Sequence, residues 1–190
     1  MAHQNELATC ASSVRRILAA AQFAASKHSQ QKRKGASGEP YINHLIEVAE
    51  LVASSSNALD TELIIAGFLH DTVEDTGVTL TELTDRFGSD VASLVAEVTD
   101  DKSLPDKTRK RLQVETAPYK SERAQTLKLA DKISNLRSIL MSPPVGWSLE
   151  RKRQYFEWAK AVVDGFTAPN PMLKSEFKKT YNMISQLKES

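Results

Sequence analysis

Residues 61–77 read Thr-Glu-Leu-Ile-Ile-Ala-Gly-Phe-Leu-His-Asp-Thr-Val-Glu-Asp-Thr-Gly. From Leu63 to Leu69 the run is apolar almost without a break, and then His70, Asp71, Glu74 and Asp75 follow in quick succession. If one helix continues to Gly77, His70 meets Glu74 and Asp71 meets Asp75 four residues on. One imidazole and three carboxylates then crowd a single helix end. Like charges at that spacing destabilise a helix, and carboxylates at its C-terminal end oppose the macrodipole. A positive partner is therefore expected among them: a metal ion, Lys or Arg side chains, or both. The competing reading, a solvated acidic helix end beside a core histidine, suits His-Asp alone but not the second acidic pair one turn later.

The rest of the chain sets bounds on that site. At 190 residues and 41% hydrophobic content, it can bury a sizeable core within one domain. A formal net charge of +1 gives no overall bias toward nucleic acid or membrane, so no DNA, RNA or membrane partner is expected. Anion binding must come from local clusters, and Lys27–Lys34 and Lys102–Arg111 are two. The one cysteine, Cys10, has no intramolecular disulfide partner and falls on the apolar face predicted for the first helix, so a buried thiol in a reducing cytoplasm is expected. No N-terminal segment joins basic residues to a long apolar run, and no apolar stretch nears the ~20 residues needed to span a bilayer. The expectation is a soluble, unsecreted protein.

Helices follow one another along the chain. Leu7, Cys10, Val14, Ile17, Leu18, Ala21, Ala24 and Ala25 mark an amphipathic helix over 6–29. Gln30–Gly38 reads as a flexible basic loop, and Pro40 opens a second helix with Leu45, Val48, Leu51 and Val52 inward and His44 in its first turns. Gly77 should end the acidic helix, Thr79 and Glu82 should form a capping box, Gly88 should close the helix they start, and Ser89 should cap the next. Lys107–Gln113 suggests a basic helix outside the core, and Ser121 should begin a long helix through Leu140. Ser148 should cap a helix bearing Tyr155, Phe156, Trp158, Val162 and Val163. Pro169-Asn170-Pro171 precedes a last helix, about 171–188, with Leu173, Phe177, Tyr181, Ile184 and Leu187; these aromatics are most simply core. No convincing period-two segment, repeat or long linker interrupts this pattern. The fold class expected is all-α, one domain of about eight to ten helices.

Three polar interruptions of apolar helices ask for a common explanation: His44, the His70-Asp71 pair, and Asp131, which shares a face with Leu127 and Asn135 where leucine would be expected. Two imidazoles and two carboxylates form a ligand set suited to a divalent first-row metal, each on a different rigid helix except the adjacent pair.

At this point the sequence resembles a known family. Gly38-Glu39-Pro40-Tyr41-Ile42-Asn43-His44, Leu69-His70-Asp71-Thr72-Val73-Glu74-Asp75-Thr76, Val98-Thr99-Asp100-Asp101-Lys102 and Leu127–Leu136 resemble, in order, the HD-domain phosphohydrolases. Within them the likeness is to the stand-alone small alarmone hydrolases, which look like the hydrolase half of RelA and SpoT proteins. Gly146-Trp147-Ser148 and Tyr155-Phe156-Glu157-Trp158-Ala159 match the stand-alone members as well. The resemblance implies a compact HD-type helical bundle over 1–190, with a core of about 6–167. It implies that His44, His70, Asp71 and Asp131 bind one metal ion, usually manganese. Glu74 would orient or deprotonate the attacking water, with Asp75 assisting. Arg33 and Lys34 match a nucleotide-contacting basic pair, Asn135 a ribose contact, and Arg151 and Tyr155 pocket-lining positions.

The implied reaction is hydrolysis of the 3′-diphosphate of guanosine tetra- or pentaphosphate (ppGpp or pppGpp) to GDP or GTP and pyrophosphate. No nucleotidyl-transferring domain follows in this sequence, so degradation without synthesis is expected. Two alternatives stand beside it: removal of the 2′-phosphate of NADPH at the same site, and a non-catalytic nucleotide sensor. The sensor gives no reason to keep Glu74 and Asp75 beside a metal. A binuclear site is disfavoured by the histidine supply, since His3 lies near the terminus and His28 reads as a helix-surface or outer-shell residue.

Overall fold

In the computed structural model, residues 2–189 are described, with side chains from Thr9 onward; the expectations for His3 and Leu7 concern side chains outside the described residues. The helices run α1 (Ala2–Lys27), α2 (Ile42–Ser55), α3 (Thr61–Leu69), α4 (Thr72–Thr76), α5 (Leu80–Phe87), α6 (Ser89–Val98), α7 (Asp106–Thr116), α8 (Glu122–Met141), α9 (Leu149–Asp164) and α10 (Pro171–Asn182). Short 3₁₀ turns follow α7 and α10. The only extended pairings among the described residues are two isolated bridges, Lys32 with Pro40 and Gly35 with Pro144.

The element that organises the packing is α8. Every residue from Ala124 to Ser134 is buried, and the helix lies against α2, α6 and α10. Leu127, Leu129, Ala130, Ile133 and Leu136, all fully buried, meet Leu45, Val48 and Val52 of α2, Ile65 and Leu69 of α3, and Val91 and Val95 of α6 in one apolar cluster. Burying a charged side chain in such a helix is costly unless it is paired, so Lys128, Asp131 and Lys132 inside this run require a polar destination.

Sequence signals fix most boundaries. Asp60, Thr79, Ser121, Ser148 and Asn170 each cap the helix that follows by accepting a backbone N–H through the side chain. Gly77 ends α4 in the left-handed region at φ 74°. Ser89 instead forms the first residue of α6, because Gly88, at φ 96°, occupies the cap position. The last helix also ends earlier than expected: α10 stops at Asn182 and tightens into a 3₁₀ turn, which still buries Leu187.

The largest correction concerns residues 61–77. Instead of one helix there are two, with His70 and Asp71 in the turn between them. Glu74 and Asp75 therefore sit in the first turn of α4, where a helix terminus favours carboxylates, and not at the unfavourable end of α3. The electrostatic objection raised by the continuous-helix reading disappears for these two.

A second correction concerns α1. Its buried side is Ala20, Ala24 and the following His28, with Ile17 and Phe23 packed alongside, while Val14, Leu18 and Cys10 are exposed. The thiol expected to be buried is on the surface, where Thr9, Ala11 and Ser12 are exposed with it; helical spacing alone cannot say how much of a helix is packed.

Close approach of α2 and α3 depends on Gly67. A Cβ built there would stand 2.9 Å from Ala49 Cα and 3.3 Å from Ala49 Cβ. Gly67→Ala is expected to destabilise the protein by about 1–3 kcal/mol through overpacking, read as a lower urea midpoint. An unchanged midpoint would mean that the two helices can part without loss.

Candidate functional site

Four side chains from three parts of the chain converge at the end of the apolar cluster. His44 comes from the first turn of α2, His70 and Asp71 from the break after α3, and Asp131 from the middle of α8. His44 Nε2 lies 3.6 Å from Asp71 Oδ2 and 3.4 Å from Asp131 Oδ1; His70 Nε2 lies 3.2 Å and 3.9 Å from the same two atoms. Both imidazole Nε2 atoms are buried without a hydrogen-bond partner.

Their Nδ1 atoms are occupied. That of His70 is 2.8 Å from the Gly67 carbonyl, which can only accept, so Nδ1 carries a proton and Nε2 is the nitrogen left to face the cluster. That of His44 is 2.8 Å from Ser134 Oγ. Two bare imidazole nitrogens facing two carboxylates are a donor set for a divalent cation, and His44, His70 and Asp131 group together as a candidate metal cluster. Asp71 falls outside that group of three, although its Oδ2 lies beside both imidazoles; the same oxygen accepts from the Tyr41 hydroxyl at 2.5 Å.

The electrostatics agree. Burial disfavours charge on His70, yet Asp71 and Asp131 outweigh it and lift its pKa to about 9. Burial likewise acts against charge on Asp131, but Lys132 and the two imidazoles hold it well below the ordinary carboxylate range. The cluster attracts positive charge.

Beside it a cavity of about 690 Å³ opens, lined by nine Lys or Arg and six Asp or Glu side chains. Cations therefore predominate even before a metal is counted, which suits a polyanion. Glu74 and Asp75 project into this cavity next to the cluster. Glu74 Oε2 accepts the Asp100 N–H at 3.1 Å, and Arg109 Nη1 stands 3.8 Å from Oε1. Asp75 accepts from Gln31 Nε2 at 2.7 Å and from the Lys102 ammonium. The positive partners anticipated for these acids are thus Lys102 and Arg109, from the basic segment in which no individual residue could be singled out. Burial raises the pKa of Glu74 above the ordinary range.

The remaining expected residues also line the cavity. Arg33 Nη1 donates to Asn135 Oδ1 at 3.2 Å and lies over the Tyr41 ring at 5.9 Å; Asn135 in turn donates to Asp131 at 2.6 Å. Arg151 lies 4.5 Å above the Trp147 ring. The loop carrying Arg33 and Lys34 is less free than expected: Gly35 bridges Pro144, and Val145 N–H donates to the Lys34 carbonyl at 3.3 Å.

Of the aromatics read as core, Phe156 and Phe177 are buried, whereas Tyr155 and Trp158 form the cavity wall with Trp147. Lys132, missed from sequence, places its ammonium 4.3 Å from the Trp158 ring and 3.3 Å from Asp131; burial lowers its pKa. Lys128, also missed, donates to the Val98 carbonyl at 2.8 Å. The available signal was two lysines four apart among the apolar residues Leu127, Leu129, Ala130 and Ile133 of α8. His28 is buried, stacked on Tyr41 at 5.1 Å and bonded to Gln31 at 2.6 Å, hence an outer-shell residue and not a surface one.

An all-helical domain that gathers His from one helix, His-Asp from a turn between two others and Asp from a fourth, beside a basic cavity, defines a class of metal-site proteins. Residues 20–154 match the HD domain family, and this chain belongs to it. It is 51% identical over 162 residues to human guanosine-3′,5′-bis(diphosphate) 3′-pyrophosphohydrolase MESH1, covering 85% of this chain and 90% of that one. The Xenopus tropicalis protein of the same name is 49% identical over 160 residues, covering 84% and 89%. A solved metazoan ortholog of SpoT, which hydrolyzes ppGpp and plays a role in starvation responses, superposes with a TM-score of 0.85 at 43% identity, covering 88% of this chain and 94% of that chain. Among the described residues no helix is long and apolar enough to cross a membrane.

Proposed function

We propose that this protein hydrolyses the 3′-diphosphate of guanosine tetra- and pentaphosphate, releasing pyrophosphate with GDP or GTP. Likeness along nearly the whole length to enzymes named for this reaction carries the substrate assignment. In this reading residues 1–190 act as one hydrolase domain in the cytoplasm, where such nucleotides occur.

His44, His70, Asp71 and Asp131 would hold one divalent ion, manganese in this proposal. When bound, it supplies Lewis acidity, polarising a phosphoryl oxygen and making water a stronger acid near neutral pH. Glu74, buried enough to be a better base than an ordinary carboxylate, accepts the proton of the attacking water. Asp75 keeps Gln31 and Lys102 aligned beside it. Attack at the phosphorus on the 3′-oxygen breaks the P–O3′ bond and frees pyrophosphate, the 3′-oxygen taking up a proton to become the hydroxyl of GDP or GTP. Lys102, Arg109, Arg33 and Lys34, all lining the cavity, offset the charge of two diphosphates. The faces of Tyr155, Trp147 and Trp158 offer the base a stacking wall, and Asn135 offers an amide to the ribose.

Purified protein loaded with Mn²⁺ should convert ppGpp to GDP and pyrophosphate, and lose that activity on chelation. Release of phosphate from NADPH, with ppGpp untouched, would keep the site and replace the substrate. Nucleotide binding without turnover of either would favour the sensor.

A further inference from the structure

We propose that Ser134 and Glu47 are positioning residues that hold His44 in the one tautomer able to bind a cation; this inference rests on the metal reading above. Neither side chain lines the cavity. Ser134, fully buried on α8, has its Oγ 2.6 Å from Glu47 Oε2 and 2.8 Å from His44 Nδ1. A hydroxyl has one proton, and a carboxylate can only accept, so that proton goes to Glu47. Toward His44 the serine oxygen is left as an acceptor, which requires the imidazole proton on Nδ1 and leaves the Nε2 lone pair for the cluster.

Glu47 is itself fixed. Arg137 donates to its Oε1 at 2.9 Å through Nη1, and to Glu176 of α10 at 2.8 Å through Nη2. The chain Glu176, Arg137, Glu47, Ser134, His44 thus runs from the C-terminal helix to the metal site, with every donor and acceptor role determined. His70 reaches the same tautomer by a different device, the Gly67 carbonyl.

Glu47→Gln tests the direction of these bonds at nearly constant shape. With Arg137 demanding an acceptor, the glutamine oxygen turns to Arg137 and its amide N–H to Ser134. The serine proton is then free to point at His44 Nδ1, favouring the tautomer with its proton on Nε2. Mn²⁺ affinity, measured by competition with a chromophoric chelator, should fall roughly 10- to 100-fold, the range for outer-shell changes at metal sites. Ser134→Ala should weaken it similarly.

A role confined to packing predicts the opposite: lower thermal stability with wild-type Mn²⁺ affinity, and that result would overturn the proposal. The wild type gives a further test that needs no variant. In ¹⁵N-histidine-labelled protein stripped of metal, neutral His44 should carry its proton on Nδ1, and a proton on Nε2 alone would refute the relay. If wild-type protein binds no Mn²⁺, the metal reading fails and takes this proposal with it. If it binds and Glu47→Gln binds equally, only the relay fails.

Discussion

Asp131→Ala is expected to abolish Mn²⁺ binding and ppGpp turnover together. Asp131 is 3.4 Å from His44 Nε2 and 3.9 Å from His70 Nε2, and its second oxygen is 3.3 Å from the Lys132 ammonium. Truncation removes one proposed ligand and also the carboxylate facing a buried lysine, whose charge would then repel an incoming cation. The loss of affinity should therefore exceed the roughly 10- to 100-fold typical of an outer-shell change. Asp131→Asn separates the effects: it keeps the shape and the acceptor for Asn135, but not the charge. Chelator competition and product analysis on protein shown by circular dichroism to be folded check both variants. Retention of metal and rate by Asp131→Ala would remove Asp131 from the ligand set.

Glu74→Gln should lower turnover by about 10²- to 10⁴-fold, the usual contribution of a positioned general base, and leave Mn²⁺ bound. The glutamine oxygen can still accept the Asp100 N–H, so the side chain should stay in place while losing its capacity to take a proton. Because Glu74 lies outside the His/Asp cluster, metal affinity should stay close to that of the wild type. A variant that loses metal would make Glu74 a ligand; one that keeps its rate would move the base to Asp75. The contrast between the two substitutions distinguishes holding the ion from using it.

Much of this was legible in the chain. The helices could be read because their caps are local: Thr79, Ser121, Ser148 and Asn170 satisfy N–H groups two or three residues on. The site could be read because His44, His70-Asp71 and Asp131 violate otherwise apolar helices, and such a violation needs a physical cause. What failed was less local. The turn at His70-Asp71 leaves no Gly or Pro to announce it. Exposure of Cys10 depends on how much of α1 is packed, which helical spacing does not encode. The aromatics of α9 divide between core and cavity by a rotation that composition does not encode, with Phe156 inward and Tyr155 and Trp158 toward the site. Lys132 and Ser134 were passed over as ordinary members of α8, since their meaning comes from Trp158, Asp131, His44 and Glu47, each distant in sequence or on another face.

The most direct test is anomalous diffraction at the manganese edge from crystals grown with Mn²⁺. A single peak is expected at bonding distance, roughly 2 Å, from His44 Nε2, His70 Nε2 and carboxylate oxygens of Asp71 and Asp131. A peak elsewhere, or none in crystals of protein whose Mn²⁺-dependent ppGpp hydrolysis has been demonstrated, would contradict the assignment of this cluster as the metal centre.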